Sequence, residues 1–196
     1  MVENVSVIFD PETAFYLLKH FISADERITE YVLRNTSFTK QQINLQLAII
    51  GSKIFTAFAA NPLELYERIK PRILLNDLYR RRTDQNKVVT LVYDKNEYPD
   101  GIGYDGICPY SELSETEKSM LKYKHRDNNQ VKVIHRKPLP TWHLNVVLSK
   151  TQPGNLKIKT IFPGSIAPPV PQINVQSEAE YKISSRFWDE HVFIEY

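Results

Sequence analysis

The sequence predicts an α+β protein, in which a helical N-terminal half precedes a small antiparallel β-sheet with a C-terminal hairpin and a final strand. Helix start signals recur before about residue 82. Short β-branched or alternating runs follow after Thr83, and no strand–helix–strand alternation indicates a parallel sheet. We therefore expect a helical region at 1–83 and a sheet region at 84–196, packed together as one compact unit.

The bulk composition limits the classes of protein and partner. A hydrophobic content of 42% and a charged content of 24% are ordinary for a globular domain. The formal net charge of +2 permits a nucleic-acid partner without demanding one. Residues 1–10 lack the basic and apolar regions of a signal peptide, and the most apolar run, at 45–60, is too short and too polar to span a bilayer. We expect a cytoplasmic protein without a membrane partner.

Four helix start signals predict four or five helices before about residue 82. A capping residue precedes proline at two of them, and the other two match the capping-box pattern. These signals are Asp10–Pro11, Ser23–Glu26, Thr39–Gln42 and Asn61–Pro62. Pro71 is expected to end or bend a helix, and the run Leu45–Ala60 is interpreted as a buried helix. Arg80–Arg82 is interpreted as a solvated helix end, with an RNA-contacting patch as the alternative.

The later elements are predicted from β-branched runs and from the glycines and prolines that interrupt regular structure between them. They are a strand at Val88–Tyr93, a loop at 94–112, a short helix from Ser114 to near Lys124, a strand at Val131–His135, a hairpin of Trp142–Leu148 with Leu156–Phe162 around a Pro153–Gly154 turn, an irregular loop at 163–180 and a final strand at His191–Tyr196. The proline-rich part of that loop is expected to be rigid, with Ile166 and Val170 packed inward, rather than a polyproline ligand.

Alternation along the hairpin predicts two faces of different character. The apolar face carries Trp142, Leu144, Val146, Leu148, Leu156, Ile158, Thr160 and Phe162. The polar face carries His143, Asn145, Lys157 and Lys159. A register in which opposed residue numbers sum to an even number would keep Leu148 opposite Leu156 or Ile158.

The final strand extends the polar face if its core side joins the core of the hairpin. Val192 and Ile194 would then point inward, and His191 would emerge beside His143 and Lys159. Histidines and lysines on one open sheet face can transfer protons and bind phosphate. The alternative is that these side chains are simply the solvated side of a half-buried sheet.

The remaining motifs favour structural interpretations. Gly101–Gly106 matches the letters of a dinucleotide fingerprint but lacks a strand leading into it and a helix leaving it, so we expect a glycine turn presenting Tyr104 and Asp105 and no cofactor. The five histidines lack zinc-ligand spacing, so no metal site is expected. Cys108, the single cysteine, is interpreted as a half-buried thiol. A small-ligand site at the Gly101–Gly106 loop stays open as an alternative.

A family resemblance rests on three segments of the sheet region. These are Trp142–Leu148, the strand exit Lys159–Gly164, and Trp188–Phe193 near the end of the chain. With the preceding helical half, they make residues of about 87–196 resemble the barnase/EndoU/colicin D/RelE-like group of metal-independent ribonucleases, many of which are bacterial toxins. The resemblance implies a toxin-like hydrolase that cleaves RNA by attack of the ribose 2′-hydroxyl. It also implies RNA as substrate and a protein inhibitor as a candidate partner.

The resemblance assigns roles to residues of the hairpin and the final strand. His191 and His143 would share the acid and base steps, Lys159 would stabilise the phosphate and Thr160 would orient it. Substrate contacts would come from Lys157, Asn145, Tyr104 and Trp188. The alternative function is a non-catalytic protein-interaction module of a bacterial protein, whose helical half docks a partner.

Overall fold

A computed structural model describes residues 6–74, 87–126, 128–152 and 155–196. Its helices are α1 (Pro11–Leu17), α2 (Glu26–Asn35), α3 (Lys40–Leu47), α4 (Pro62–Leu74), α5 (Glu115–Ser119) and α6 (Glu178–Glu190), with short 3₁₀ turns at Leu18–His20 and Tyr110–Glu112. Its strands are β1 (Ser6–Ile8), β2 (Lys53–Ile54), β3 (Lys87–Val92), β4 (Gly103–Tyr104), β5 (Ile107–Pro109), β6 (Lys122–Arg126), β7 (Asn129–His135), β8 (Pro140–Thr141), β9 (His143–Gln152), β10 (Asn155–Pro163) and β11 (His191–Glu195).

The strands form three small sheets. The hairpin sheet has the order β1-β10-β9-β3, the terminal sheet has the order β5-β11-β7-β6, and the small sheet has the order β2-β4-β8. Pairing is antiparallel except between β1 and β10 and between β11 and β7. Helices segregated from mostly antiparallel sheets define an α+β protein, as the sequence predicted. No helix within the described ranges is long and apolar enough to cross a membrane.

The helix start signals are confirmed with one shift. Asp10 caps α1 ahead of Pro11, Thr39 and Gln42 form a capping box at α3, and the Asn61 side chain accepts from the Glu64 amide at the start of α4. At α2 the cap is Asp25, whose carboxylate accepts from the Ile28 amide, and not Ser23. Pro71 lies inside α4 and does not end it. Arg80–Arg82 and the Pro153–Gly154 turn lie outside the described residues.

Three parts of the chain differ from the sequence prediction. The buried helix expected at Leu45–Ala60 is wrong: α3 ends at Leu47, and Gly51, at φ +150°, turns the chain into β2. The helix from Ser114 is only five residues long, so Lys122–Arg126 becomes β6. Residues 178–190 form α6, a helix that the sequence analysis did not predict, although the Ser177–Glu180 capping box marks its start.

A β-bulge at Lys159 shifts the register of the hairpin. Ile158 pairs with Leu148 as predicted, but Thr160 pairs with Val147, so Lys159 is an extra residue. Beyond the bulge the opposed numbers sum to an odd number, and the side chains exchange faces. Ile161 therefore enters the core, whereas Thr160 and Phe162 turn to the opposite face, contrary to the sequence prediction.

The largest core cluster joins the two predicted regions. Leu17, Phe21 and Ile69 from the first 74 residues pack in one cluster with Val89 and Leu144 from the hairpin sheet. The terminal sheet has separate clusters on its two faces, one with Val192 and Ile194 and one with Phe193. The core side of the final strand therefore does not join the core of the hairpin, and the premise that placed His191 beside His143 is wrong.

Lys53 is a buried cation that connects three segments of backbone. Its side chain is largely buried, and its Nζ donates to the carbonyl oxygens of Lys19 at 2.6 Å, Leu47 at 2.9 Å and Ile49 at 3.0 Å. Burial, and then the nearby Arg126 charge, lowers the pKa of Lys53 to about 8. The three carbonyls belong to the 3₁₀ turn and to the end of α3, so the ammonium fixes both beside β2.

We expect Lys53→Met to lower the free energy of unfolding by about 2–4 kcal/mol, because methionine removes the donor to three partly buried carbonyl oxygens. Urea denaturation followed by circular dichroism would measure the change. The control is Lys159→Met, at an exposed residue, for which a change within about 0.5 kcal/mol is expected. Equal effects of the two substitutions would contradict a structural role for the Lys53 ammonium.

Candidate functional site

A cleft of about 410 Å³ lies between the hairpin sheet and the terminal sheet. Its volume falls in the range usual for small-ligand sites. One wall comes from the hairpin sheet, with Val88, Val147, Thr160 and Phe162, and the facing wall comes from the terminal sheet, with Ile107, Arg126 and Phe193. We call the part between them the floor, which contains Lys19, His20, Gly51, Ser52, Asp105 and Gly106. Trp188 and residues of the 165–172 loop form the outer wall. Thr160 and Phe162 reach this cleft because of the bulge at Lys159.

The floor of the cleft depends on close backbone contact at Gly106. A Cβ at this position would lie 2.1 Å from the Ser52 nitrogen and 2.2 Å from the Gly51 carbonyl carbon, so no larger residue fits. The Gly106 carbonyl also accepts from the Ile194 amide at 2.8 Å. Gly106 thus allows close packing between loops. Of the two residues that the predicted glycine turn was expected to present, Asp105 lines the cleft, whereas Tyr104 is buried in β4.

The proline-rich loop forms a wall of the cleft and is held there by several side chains. Asp105 accepts from the Ser165 amide at 2.9 Å, and Asn145 Nδ2 donates to the Gly164 carbonyl at 2.7 Å. Trp188 Nε1 donates to the carbonyls of Pro168 and Pro169 at 3.1 and 3.2 Å. Val170 packs inward as predicted, whereas the Ile166 side chain is exposed.

The cleft is lined by two positively charged side chains and one negatively charged side chain. Lys19 and Arg126 line it together with Asp105, whose carboxylate is bonded to Ser165. The Arg126 guanidinium lies 4.6 Å from the centre of the Phe193 ring, and Phe193 stacks on Trp188 at 4.3 Å. Residues 122–137, which include the β6–β7 hairpin, contain six lysines and arginines and one acidic residue, a formal charge of +5 in a chain of +2.

His20 is a neutral imidazole at the floor of the cleft. The ring is largely buried, and its Nδ1 lies 3.1 Å from the Ser52 carbonyl oxygen. Burial, followed by the charge of Lys19, lowers the pKa of His20 well below its ordinary value. A carbonyl can only accept, so Nδ1 carries the proton and Nε2 carries the lone pair. Nε2 is therefore the nitrogen left to accept a proton from a ligand.

The predicted catalytic residues do not form one site. His143 lies at the exposed start of β9 in the hairpin sheet, and Lys159 is exposed at the bulge. His191 lies in the terminal sheet, where its ring stacks on Phe187 at 3.9 Å and Nδ1 lies 2.8 Å from the Phe187 carbonyl oxygen. No hydrogen bond or ring contact joins His143 to His191 within the described ranges. Of the four residues, Thr160 alone lines the cleft.

Three of the predicted substrate-binding residues have structural partners instead. Lys157 forms an ion pair with Asp10 at 2.5 Å. Asn145 is buried between Gly164 and Thr90, and Tyr104 is buried with its ring 6.2 Å from the ring of Tyr196. The fourth, Trp188, lies in the wall of the cleft.

Other candidate chemistry finds little support in the described residues. Cys108 is buried in β5, and burial raises the pKa of its thiol, which disfavours the nucleophilic thiolate. Within the ranges that the structure describes, no group of three His, Cys, Asp or Glu side chains could hold a metal ion.

The sequence interpretation missed His20, Arg126 and Lys53, although two signals were available. Lys53 interrupts the most apolar run of the chain, which is unusual for a cation that stays in water. The basic cluster of 122–137 contains Arg126 and stands out against the small net charge. His20 carries no comparable signal, because a histidine between apolar residues is compatible with an ordinary core position.

No protein-family model matches the chain, and no curated protein sequence matches it. Among solved structures, a conserved hypothetical protein from Toxoplasma gondii ME49 is similar, with a TM-score of 0.42 and 12% identity, over 68% of this chain and 85% of that chain. A similarity of this degree carries no argument about either fold or function.

We expect His20 to make the folded protein sensitive to acid. Because burial lowers the folded pKa, the unfolded chain takes up a proton first as the pH falls through about 6.5, and the free energy of unfolding decreases by about 1.4 kcal/mol per pH unit. His20→Asn keeps a donor near Ser52 and removes this titration. Urea denaturation at pH 7.5 and 5.5 should show a smaller acid loss in His20→Asn than in the wild type. The exposed His143→Asn serves as the control, and equal losses in wild type and His20→Asn would contradict the assignment.

Proposed function

We propose that the protein binds single-stranded RNA, with one nucleotide in the cleft between the hairpin sheet and the terminal sheet. The observation that carries the proposal is the meeting of Arg126 and Lys19 with the aromatic side chains of Trp188, Phe193 and Phe162 in one cavity. Phosphate groups bind to lysine and arginine, and bases pack on aromatic and apolar surfaces, so this lining suits a nucleotide. The +5 charge of residues 122–137 supports a polyanionic ligand.

The cleft also supports metal-independent cleavage of RNA, with His20 in place of the histidines expected from the sequence. Neutral His20 would take the proton of the 2′-hydroxyl at Nε2, and O2′ would form a bond to phosphorus. The bond from phosphorus to O5′ would break, O5′ would take a proton from water, and the resulting hydroxide would take the proton of His20, leaving a neutral imidazole and a 2′,3′-cyclic phosphate. Lys19 and Arg126 would stabilise the negative charge of the phosphorane.

Binding is tested with a fluorescently labelled oligoribonucleotide whose anisotropy is followed in EDTA at several salt concentrations. We expect Arg126→Met and Lys19→Met each to weaken binding by about tenfold or more and to reduce its salt dependence, because each removes a phosphate contact. Arg34→Met is the matched control, since Arg34 is exposed on α2 and pairs with Glu30. Circular dichroism and melting would confirm that each variant is folded. If both cleft variants bind RNA with unchanged affinity, RNA does not bind in the cleft.

Cleavage is tested by single-turnover assays of RNA integrity in EDTA with His20→Asn and His191→Ala. If His20 is the general base, His20→Asn should slow cleavage by about 10²–10⁴, whereas His191→Ala should have a smaller effect. If His191→Ala instead slows cleavage more than His20→Asn, the general base is His191 in the final strand, as the family resemblance implies. Absence of cleavage by the wild type on several RNAs would leave a protein that binds RNA without cutting it.

A non-catalytic protein-interaction module is the second candidate. Three large apolar side chains around α6 are highly exposed, Ile173 at 76%, Val175 at 77% and Ile183 at 65%. Large apolar side chains exposed at nearby positions of the sequence make this segment the candidate contact surface. Failure of all RNA binding by the folded wild-type chain would favour this alternative.

A further inference from the structure

We infer that the protein binds RNA across two adjoining subsites, one in the cleft and one in a second cavity on the other side of Trp188. The inference rests on the proposed function, and it makes the ligand a single strand of at least two nucleotides rather than a mononucleotide. The second cavity has a volume of about 280 Å³, which is room for a nucleobase. Its lining includes Tyr123, Gln130, Lys132, Tyr181 and His191.

The two cavities share a wall. Trp188 and Val170 line both of them, so the indole and the proline-rich loop separate one from the other. The indole is held on three sides: it stacks on Phe193, meets the edge of Phe187 at 5.1 Å, and donates to the Pro168 carbonyl at 3.1 Å. A partition held in this way does not fold back to merge the cavities around one compact ligand. A flexible strand can pass over it and place successive units on its two sides.

The second cavity has the chemistry of a base-binding site. The Tyr123 side chain is 64% exposed, which makes its ring available as a stacking platform. The Lys132 ammonium is held near the cavity by the Asp189 carbonyl at 3.1 Å. His191 has Nδ1 2.8 Å from the Phe187 carbonyl oxygen, so Nε2 is the ring nitrogen that remains for a polar group of a base or ribose. Among the described residues, Asp189 is the one acidic residue that lines this cavity.

The β6–β7 hairpin connects the two subsites. Arg126, on β6, lines the cleft, whereas Tyr123 and Lys132 of the same hairpin line the second cavity. The basic segment 122–137 therefore borders both cavities, and it offers cations to the phosphates of a strand that crosses the partition. A neutral ligand or a single nucleotide would not contact the cations of both cavities.

The test is a length series of 2′-O-methyl adenylates, which cannot be cleaved through the 2′-hydroxyl. Isothermal titration calorimetry in EDTA would compare AMP with the dinucleotide and the tetranucleotide. We expect at least about a tenfold gain in affinity from one to two or more nucleotides, because a second base gains a stacking surface. Tyr123→Ala and Lys132→Met should reduce that gain, whereas Arg126→Met should weaken ligands of every length. Arg34→Met, outside both cavities, is the control.

The outcomes separate the inference from the function on which it rests. Binding of AMP without any gain from added nucleotides would overturn the second subsite and leave the proposed function intact. A gain that persists unchanged in Tyr123→Ala and Lys132→Met would place the second contact elsewhere and also overturn the inference. Failure of every length to bind would reject the proposed function itself. Equal displacement of the tetranucleotide by a polyglutamate peptide would show general anion binding and reject both.

Discussion

The contact between Gly106 and the Gly51–Ser52 turn is the constraint on which the cleft depends. A side chain at residue 106 would overlap the opposing backbone, so the two loops meet only because this residue lacks a Cβ. The same glycine bonds to β11 through its carbonyl and lies between β4 and β5. The helical half, the small sheet and the terminal sheet are thus joined at one point.

Lys53 extends this constraint to the N-terminal part of the floor. Its ammonium binds the Lys19 carbonyl, next to His20, and two carbonyls at the end of α3. Burial of a cation is costly, and its three acceptors offset the loss of hydration. The charge also helps to keep His20 neutral. Lys53 and His20 are therefore coupled through electrostatics as well as through the backbone.

The bulge at Lys159 has the corresponding effect on the opposite wall. One extra residue moves Thr160 and Phe162 out of the core and into the cleft, and it admits Ile161 to the core in their place. The Thr160 hydroxyl is buried and makes no hydrogen bond to any described residue. A buried hydroxyl without a partner at the wall of a cavity is suited to a ligand group. The family resemblance implied a role for Thr160, and the bulge is the physical reason that this residue lines the cleft.

The sequence by itself determined the α+β class, the caps of α1, α3 and α4, the hairpin and the final strand, because caps and alternation act through local hydrogen bonds and side-chain direction. It also identified Trp188 and Thr160 as candidate site residues. Only the tertiary structure decided that the final strand joins a different sheet from the hairpin, since sheet partnership depends on contacts distant in sequence. It likewise decided that Gly106 brings His20 and Arg126 into one cleft, because contacts between loops leave no periodic pattern in the sequence.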